Sequence, residues 1–508
     1  MQFNSISSKI IVFEVTIATL LILSTSAFCA NVAVITTTAM DYSSGAISIV
    51  QGNPPRTSNN NLNASVSDTT ISSYGKYFFR MIKGTVEVLQ KYSIDSPTSL
   101  IWDYSTLDNN NNASNAYSLV FARENKAYML RFNSSKVWIL DLSGNSYQPS
   151  LSNLKIGELD LSAYADNDGS CEPVSGEIVG NKLFIGMQRI DRSGGWSNYV
   201  YLQSYIAVVD INTDIEIDTQ SEPDKKGILL PIKNLGSVQY VAENNFVYVH
   251  GVGRYPSSTN GALFDGGIVS INPLDYDVNM VIDDGDSDNH PYGNITGCAI
   301  ASPQKGYFIG YAGWGDNSCY AFNPMTGQVY GTVAGLDHKN ISGMESGTYV
   351  DQNKMLWICN STDARVEIVD TSNDTIVDSV TTGLNPQKIV FCTSDMPGSI
   401  TGIVLSEGQP VQNARVYISG SNVVGWTDKN GVYQLRNIPT GLQEINVVSS
   451  DHHPAIIKDI NVRASENTIV SDVLLQQKPT QQLMGDANHD GIVDLKDAIF
   501  TLKVLNNQ

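Results

Sequence analysis

Basic residues are scarce. Lys and Arg number 31 against 51 Asp and Glu, for a formal charge of −20. Nucleic acid binding needs clustered Lys and Arg against phosphate, so this balance argues against nucleic acid as a partner. Histidine is scarce too, with 6 in 508 residues, scattered apart from His452 and His453. That pair follows a strand-like run and reads as a turn rather than a metal site. No spaced Cys/His set, nucleophile elbow or Gly-rich phosphate loop is present, so no catalytic residue is named. The 6 cysteines are far apart. Cys29 falls near the N-terminus, and Cys171, Cys298, Cys319, Cys359 and Cys392 lie in or beside apolar runs. An odd remainder at wide spacing is no disulfide framework; buried thiols are the expectation, with one bridge as the alternative. Helical periodicity is nearly absent before residue 485.

The longest apolar run is N-terminal. Lys9 precedes an apolar stretch from Val15 to Leu23, and small residues follow. The stretch is too short to span a bilayer as a helix. It reads as a signal peptide over residues 1–30, cleaved after Ala27 or Ala30, with an uncleaved anchor as the alternative. Bulky Phe28 before Cys29 argues against a lipoprotein. The mature chain is therefore expected to be secreted or at the cell surface, with no membrane span.

Short apolar runs rich in Val, Ile, Tyr and Phe, separated by Asn, Asp, Gly and Ser, give an all-β expectation. One motif repeats: a polar turn, then an apolar strand. It reads "YGKYFFRM" at 74, "ENKAYMLRF" at 124, "GNKLFIGM" at 180, "ENNFVYVHG" at 243, "PQKGYFIGY" at 303 and "DQNKMLWICN" at 351. A second strand follows each, most ending in Asp or Asn and a turn, as in "YIAVVDINTD" and "ARVEIVDTSND". This makes six units. A seventh is split between "NPQKIVFCTS" at 385 and "NVAVITTTAMDYSSGAISIVQGN" at 31. Joining the two closes a ring and removes the sheet edges. A seven-bladed β-propeller over residues 31–396 is expected, with a pair of β-sandwiches as the alternative. The strand pairs resemble YVTN-type propeller repeats, which implies architecture but no activity.

A second all-β unit covers residues 397–476. Its matched positions are Gly402, Val404, Pro410, Val411, Ala414, Val416, Thr427, Asp428, Gly431, Tyr433, Ile438, Pro439 and Gly441. Their order resembles the carboxypeptidase regulatory-like fold, a small Ig-like β-sandwich whose relatives are often classed as carbohydrate-binding-like. Asp428 and Gly431 are expected to make a tight hairpin turn. A polar linker follows at residues 477–484.

Residues 485–508 hold a calcium-type loop and a helix. Asp486, Asn488 and Asp490 stand at loop positions 1, 3 and 5, and Gly491 permits the turn. Ile492 offers its carbonyl at position 7, and Asp494 and Asp497 fall at 9 and 12. Calcium needs six or more oxygens, and this spacing wraps them round one point. Ala498, Ile499, Leu502 and Leu505 recur at helical spacing, so a helix is expected from Leu495 to Leu505. An EF-hand would carry Glu at position 12. Asp there resembles the dockerin type I repeat, which implies calcium and a cohesin-like partner. The resemblance places partner contacts at Leu495, Lys496 and Lys503. A complete dockerin has two such repeats and this sequence shows one, so self-association and a calcium-stabilised tail are the alternatives.

Remaining candidates lie in propeller loops. Asp166 and Asp168 in "DNDG", and Trp196 and Trp314 in Gly-rich loops, are candidate ligand-face residues. The two indoles are candidates to stack on a glycan ring, with packed loop anchors as the alternative. Asp284, Asp286 and Asp288 alternate in "DDGDSDNH", a pattern that solvated loops also explain. Trp138 and Trp357 read as core. The functional expectation is a secreted binding or assembly protein with a calcium-binding tail. The alternative is a polysaccharide hydrolase or lyase, which would need two carboxylates converging in the propeller's centre.

Overall fold

The computed structural model describes residues 31–84, 86–108, 112–146, 154–256, 260–350, 353–478, 487 and 495–506. The repeated turn-plus-strand motif is a hairpin in each unit. In the first, Gly75 turns the chain at φ +55°, a conformation open to glycine, and Tyr77–Ile82 leaves it as a strand with every residue buried. Second strands are buried on both faces because blades stack on one another. Lys126–Arg131 is buried throughout and Phe246–Gly251 nearly so. Fourth strands such as Lys155–Asp160 and Thr375–Thr381 alternate between inside and outside, as one solvated face requires.

The described residues form seven such antiparallel sheets. The first strands of blades one to six are Thr69–Tyr74, Ala116–Arg123, Pro173–Val179, Leu235–Val241, Asn294–Ser302 and Ile341–Val350. Each packs against the first strand of the next blade, so the seven line a central axis. Blade seven joins the two ends of the propeller. Asn385–Cys392 pairs with Val32–Thr38, which pairs with Gly45–Gln51 and then Ser58–Ser65. Its register runs from Val32↔Cys392 to Thr38↔Asn385, with a bulge between Thr36 and Thr37. The ring is closed through this blade.

The recurrent Asp turns tie blades together. Asp214 ends the "DINTD" turn of blade three in the left-handed region, φ +57°. It accepts hydrogen bonds from Lys126 Nζ at 2.7 Å and Tyr128 Oη at 2.6 Å, both in blade two. Asp374 in "DTSND" does the same for Lys305 (2.8 Å) and Tyr307 (2.6 Å), from blade six to blade five. Charged hydrogen bonds of this kind contribute ~1.5–3 kcal/mol each. Trp357 and Trp138 are core residues, 0% and 5% exposed. All five described cysteines are buried free thiols.

The second unit is a sandwich of two sheets. One is built on Gly398–Ser406 and Val432–Ile438; the other runs Val424–Trp426, Arg415–Ile418, Gly441–Val448, Ala455–Val462. Ile400, Val416, Tyr433, Leu435 and Val447 fill the space between them. The motif positions have local reasons. Asp428 Oδ1 accepts the Asn430 and Val432 amides, and Gly431 completes the turn at φ +75°. Thr427 Oγ1 donates to Val411 O and accepts from Ala414 N, stitching strand ends together. A Cβ on Gly402 would lie 2.5 Å from the Tyr433 hydroxyl, so glycine is required there.

Candidate functional site

Antiparallel blades place the turns between first and second strands on one face of the ring. The turns between second and third strands fall on the other face. The sandwich covers the first of these faces. Asn437 Nδ2 donates to Phe121 O and Ala122 O, and Tyr74 Oη donates to Asn437 Oδ1 at 3.0 Å. Arg415 donates to the carbonyls of Ala242 and Glu243, and Gly420 N donates to the Glu243 carboxylate. Val424 joins a propeller core cluster, and the Trp426 ring lies over Gly180, where a Cβ would come within 2.6 Å of it. Blades one to four are thereby capped on that side.

Two carboxylates reach toward the axis. Glu177 lies in the first strand of blade three and Glu345 in that of blade six. Burial pushes Glu177 up to about 8, with Glu345 adding repulsion. Burial likewise pushes Glu345 up to about 7, against the pull of Lys388 and Lys354. Lys388, whose Nζ donates to Thr70 Oγ1 at 3.2 Å, is pushed down to about 8 by burial. Glu177 accepts a hydrogen bond from Asn422 Nδ2 of the sandwich at 2.8 Å. It lines a cavity of about 270 Å³ at the domain junction, so it belongs to the capped side.

This placement gives stability a pH dependence. A carboxyl raised on folding holds its proton more tightly in the folded chain. Its contribution is full below the unfolded value of 4.5 and is lost as pH rises through about 8. Glu177→Gln keeps an acceptor for Asn422 and removes the charge. It is expected to raise Tm at about pH 9 and leave it unchanged at about pH 5, read by calorimetric melting. Equal shifts at both pH values would contradict this.

On the uncapped face, Asp166 and Asp168 lead into blade three and meet Glu172, with carboxylate oxygens within 4.8 Å of one another. Arg192 supplies the cation. Its Nε donates to Asp168 Oδ2 and its Nη2 to Glu172 Oε1, each at 2.9 Å. Glu172 also accepts the Ile190 amide and is pushed up to about 7 by burial. The cluster is a folded loop anchor. Trp196 opens a short 3-10 turn, Trp196–Asn198, in blade three, and Trp314 tips a hairpin in blade five. The "DDGDSDNH" carboxylates diverge: Asp286 Oδ1 caps its own turn through the Asp288 and Asn289 amides, while Asp284 is buried and accepts the Gly266 amide. His452 Nδ1 lies 3.1 Å from Ser449 Oγ within its turn.

A pocket of about 510 Å³ opens on the same face, between blades four and five. Its lining comes from four stretches: Pro256, Ala262 and Phe264; His290 to Asn294; Gly310 to Ala312 with Ser318 and Tyr320; and Thr332, Asp337 and His338. His290 stacks on Phe264 with ring centroids 4.0 Å apart and an 11° tilt. His290 Nδ1 is 2.9 Å from Asp286 O; a carbonyl only accepts, so Nδ1 carries the hydrogen. His338 Nδ1 lies 2.8 Å from Asp316 Oδ1. Tyr255 and Tyr311 meet edge to face at 5.2 Å, as do Tyr292 and Tyr320. Glycine lets the backbone close in, since a Cβ on Gly310 would lie 2.4 Å from Tyr292 O. No Lys or Arg is among the lining residues. Trp314 stands two residues beyond the lining residue Ala312 and is 82% exposed. Of the four ligand-face residues expected from sequence, Trp314 is two residues along the chain from this pocket's lining; Asp166, Asp168 and Trp196 belong to blade three.

The tail helix spans Leu495–Asn506. Asp497 is 4% exposed, whereas Leu495, Leu502 and Leu505 are more than 60% exposed and Lys496 and Lys503 lie on the surface. Among the described helix residues, Asp497 is the one turned inward. Asp486, Asn488, Asp490, Ile492 and Asp494 lie outside the described residues, as does the segment 1–30 read as a signal peptide. No described helix is long and apolar enough to cross a membrane.

A search of curated proteins found no match. Among solved structures, apo AztD from Citrobacter koseri is similar at 10% identity and TM-score 0.41, over 72% of this chain and 98% of that one. A putative 6-phosphogluconolactonase from Bacteroides fragilis gives 11% and 0.44 over 72% and 98%. The β-propeller domain of Cps50 (Swd1) from Myceliophteria thermophila gives 10% and 0.40 over 66% and 96%. At such identities and TM-scores these likenesses carry no conclusion about what the chain does. The family profile of the carboxypeptidase regulatory-like domain matches residues 399–476. The sandwich that caps the β-propeller is a carboxypeptidase regulatory-like domain.

Proposed function

We propose that this chain is an extracellular binding and assembly protein. Its uncapped propeller face takes a ligand, and its tail attaches the molecule through calcium. The observation that carries the reading is the division of faces: the sandwich occupies one, and the pocket opens on the other. Binding sites favour loops held on a rigid scaffold, and a closed ring supplies one. In the tail, Asp486, Asn488, Asp490, Asp494 and Asp497, with the Ile492 carbonyl, would hold calcium. The ion would neutralise carboxylates that otherwise repel one another. The partner is a cohesin-like module or a second copy, meeting the surface of Leu495, Lys496 and Lys503. The alternative of a polysaccharide hydrolase or lyase gains little from the axial glutamates, because Glu177 is bonded to the sandwich.

Removing residues 479–508 tests the division of labour. Calcium-dependent attachment, read as capture on a cohesin surface or as dimer in light scattering, is expected to vanish. Ligand capture and the main melting transition should stay as they were. Loss of ligand capture on removing the tail would overturn the reading.

A further inference from the structure

Resting on the reading of the uncapped face as the binding face, the geometry points to a neutral, polyhydroxylated sugar chain as its ligand. One ring stacks on the His290–Phe264 platform and another ring of the chain on Trp314. Charge is the first argument. No Lys or Arg is among the described lining residues, Asp337 is, and the chain carries −20 overall, so phosphate, sulfate and uronate ligands would meet no cationic side chain in the wall. Polarity is the second. Asp337, His338 and Thr332 are exposed in the wall beside the aromatics, so a wholly apolar ligand would take them out of water and return no hydrogen bonds. The arrangement of the rings is the third. A cation cage needs aromatic faces closing round a point. Here Tyr255 and Tyr311, and Tyr292 and Tyr320, pack edge to face in pairs, so each ring has an edge or a face already taken by its neighbour. The aromatic surfaces left open are flat and outward: Trp314 at 82% exposure and the exposed outer face of His290. Such faces suit the apolar side of a pyranose, and polar groups at their edges suit its hydroxyls. His290 and His338 each have Nδ1 engaged, by Asp286 O and Asp316, which leaves Nε2 of each as the nitrogen to meet a hydroxyl. The volume of about 510 Å³ lies within the ~300–1,000 Å³ range of ligand sites.

The test uses the full chain on an array of neutral and acidic glycans. It is followed by calorimetry with cellohexaose, xylohexaose and mannohexaose, with hexagalacturonate as the anionic probe and choline as the cationic one. At least one neutral chain is expected to bind. His290→Ala and Trp314→Ala should each weaken it about tenfold or more with Tm unchanged, since both side chains are exposed. Neutral binding that both variants leave intact would overturn the site. Variant-sensitive binding of hexagalacturonate or choline alone would overturn the ligand class and leave the uncapped-face reading standing. No neutral binding on the array or in calorimetry would overturn the inference.

Discussion

Deleting Val32–Thr38 is expected to unfold the propeller, with loss of its melting transition and rapid proteolysis. This strand is hydrogen-bonded on both sides, to Gly45–Gln51 and to Asn385–Cys392. Ala33, Val34 and Ile35 are all 0% exposed. Burying Val and Ile side chains contributes ~1.5–3 kcal/mol each, and the deletion also orphans two ladders of backbone groups. Domain stability is only ~5–15 kcal/mol, so these losses approach or exceed it. Ile35→Asp makes the same point without shortening the chain, by burying a charge among Trp357, Ile368 and Ile389. Both variants are read by circular dichroism melting and limited proteolysis. A deletion variant that melts near the parent temperature would mean the ring holds without its closing blade.

Asp486→Ala and Asp497→Ala are each expected to abolish calcium binding by the tail and to melt the helix Leu495–Asn506. A 12-residue helix is marginal alone in water. Its apolar side chains do little to hold it: Leu502 and Leu505 are 66% and 63% exposed. On the proposed calcium reading, binding by the loop would supply folding energy for the segment. On that reading, four Asp side chains would converge on the ion and repel one another without it. Calorimetry of the full chain with and without chelator reads the heat, and helical signal reads the ordering. The propeller transition should not move. Absence of calcium heat in the parent chain would remove the metal from the account.

The ring was legible in the sequence because its signal is local and repeated. A polar turn before an apolar strand recurs six times, and the split seventh unit follows from the need to pair both ends. The Asp-terminated turns were visible as a repeat mark, but their work was not. Asp214 and Asp374 bond residues of the preceding blade, and sequence alone does not say which strands stack. The sandwich was legible through its spaced Gly, Thr-Asp and Tyr positions, each with a local contact in the fold. Its docking was not, since Asn422 and Asn437 look like any loop amides. Glu177 and Glu345 were hidden for a similar reason: in "SGEIV" and "GMESGT" they pass for solvated strand residues. The pocket draws on four segments between residues 256 and 338, so its two histidines read as scattered. Trp314 stood out in the sequence as a large indole in a Gly-rich loop, and it is exposed at its hairpin tip.

The division of faces is the centre of the account, and hydroxyl-radical footprinting with a glycan ligand tests it most directly. The full chain is exposed with and without the tightest-binding glycan from the array, and side-chain oxidation is read by mass spectrometry. Protection is expected at Trp314 and His290, with none at Ile456, Ile469 or Leu474, exposed apolar residues of the sandwich. Protection at Ile469 and Leu474 with Trp314 oxidised as before would place the ligand on the sandwich and contradict the account.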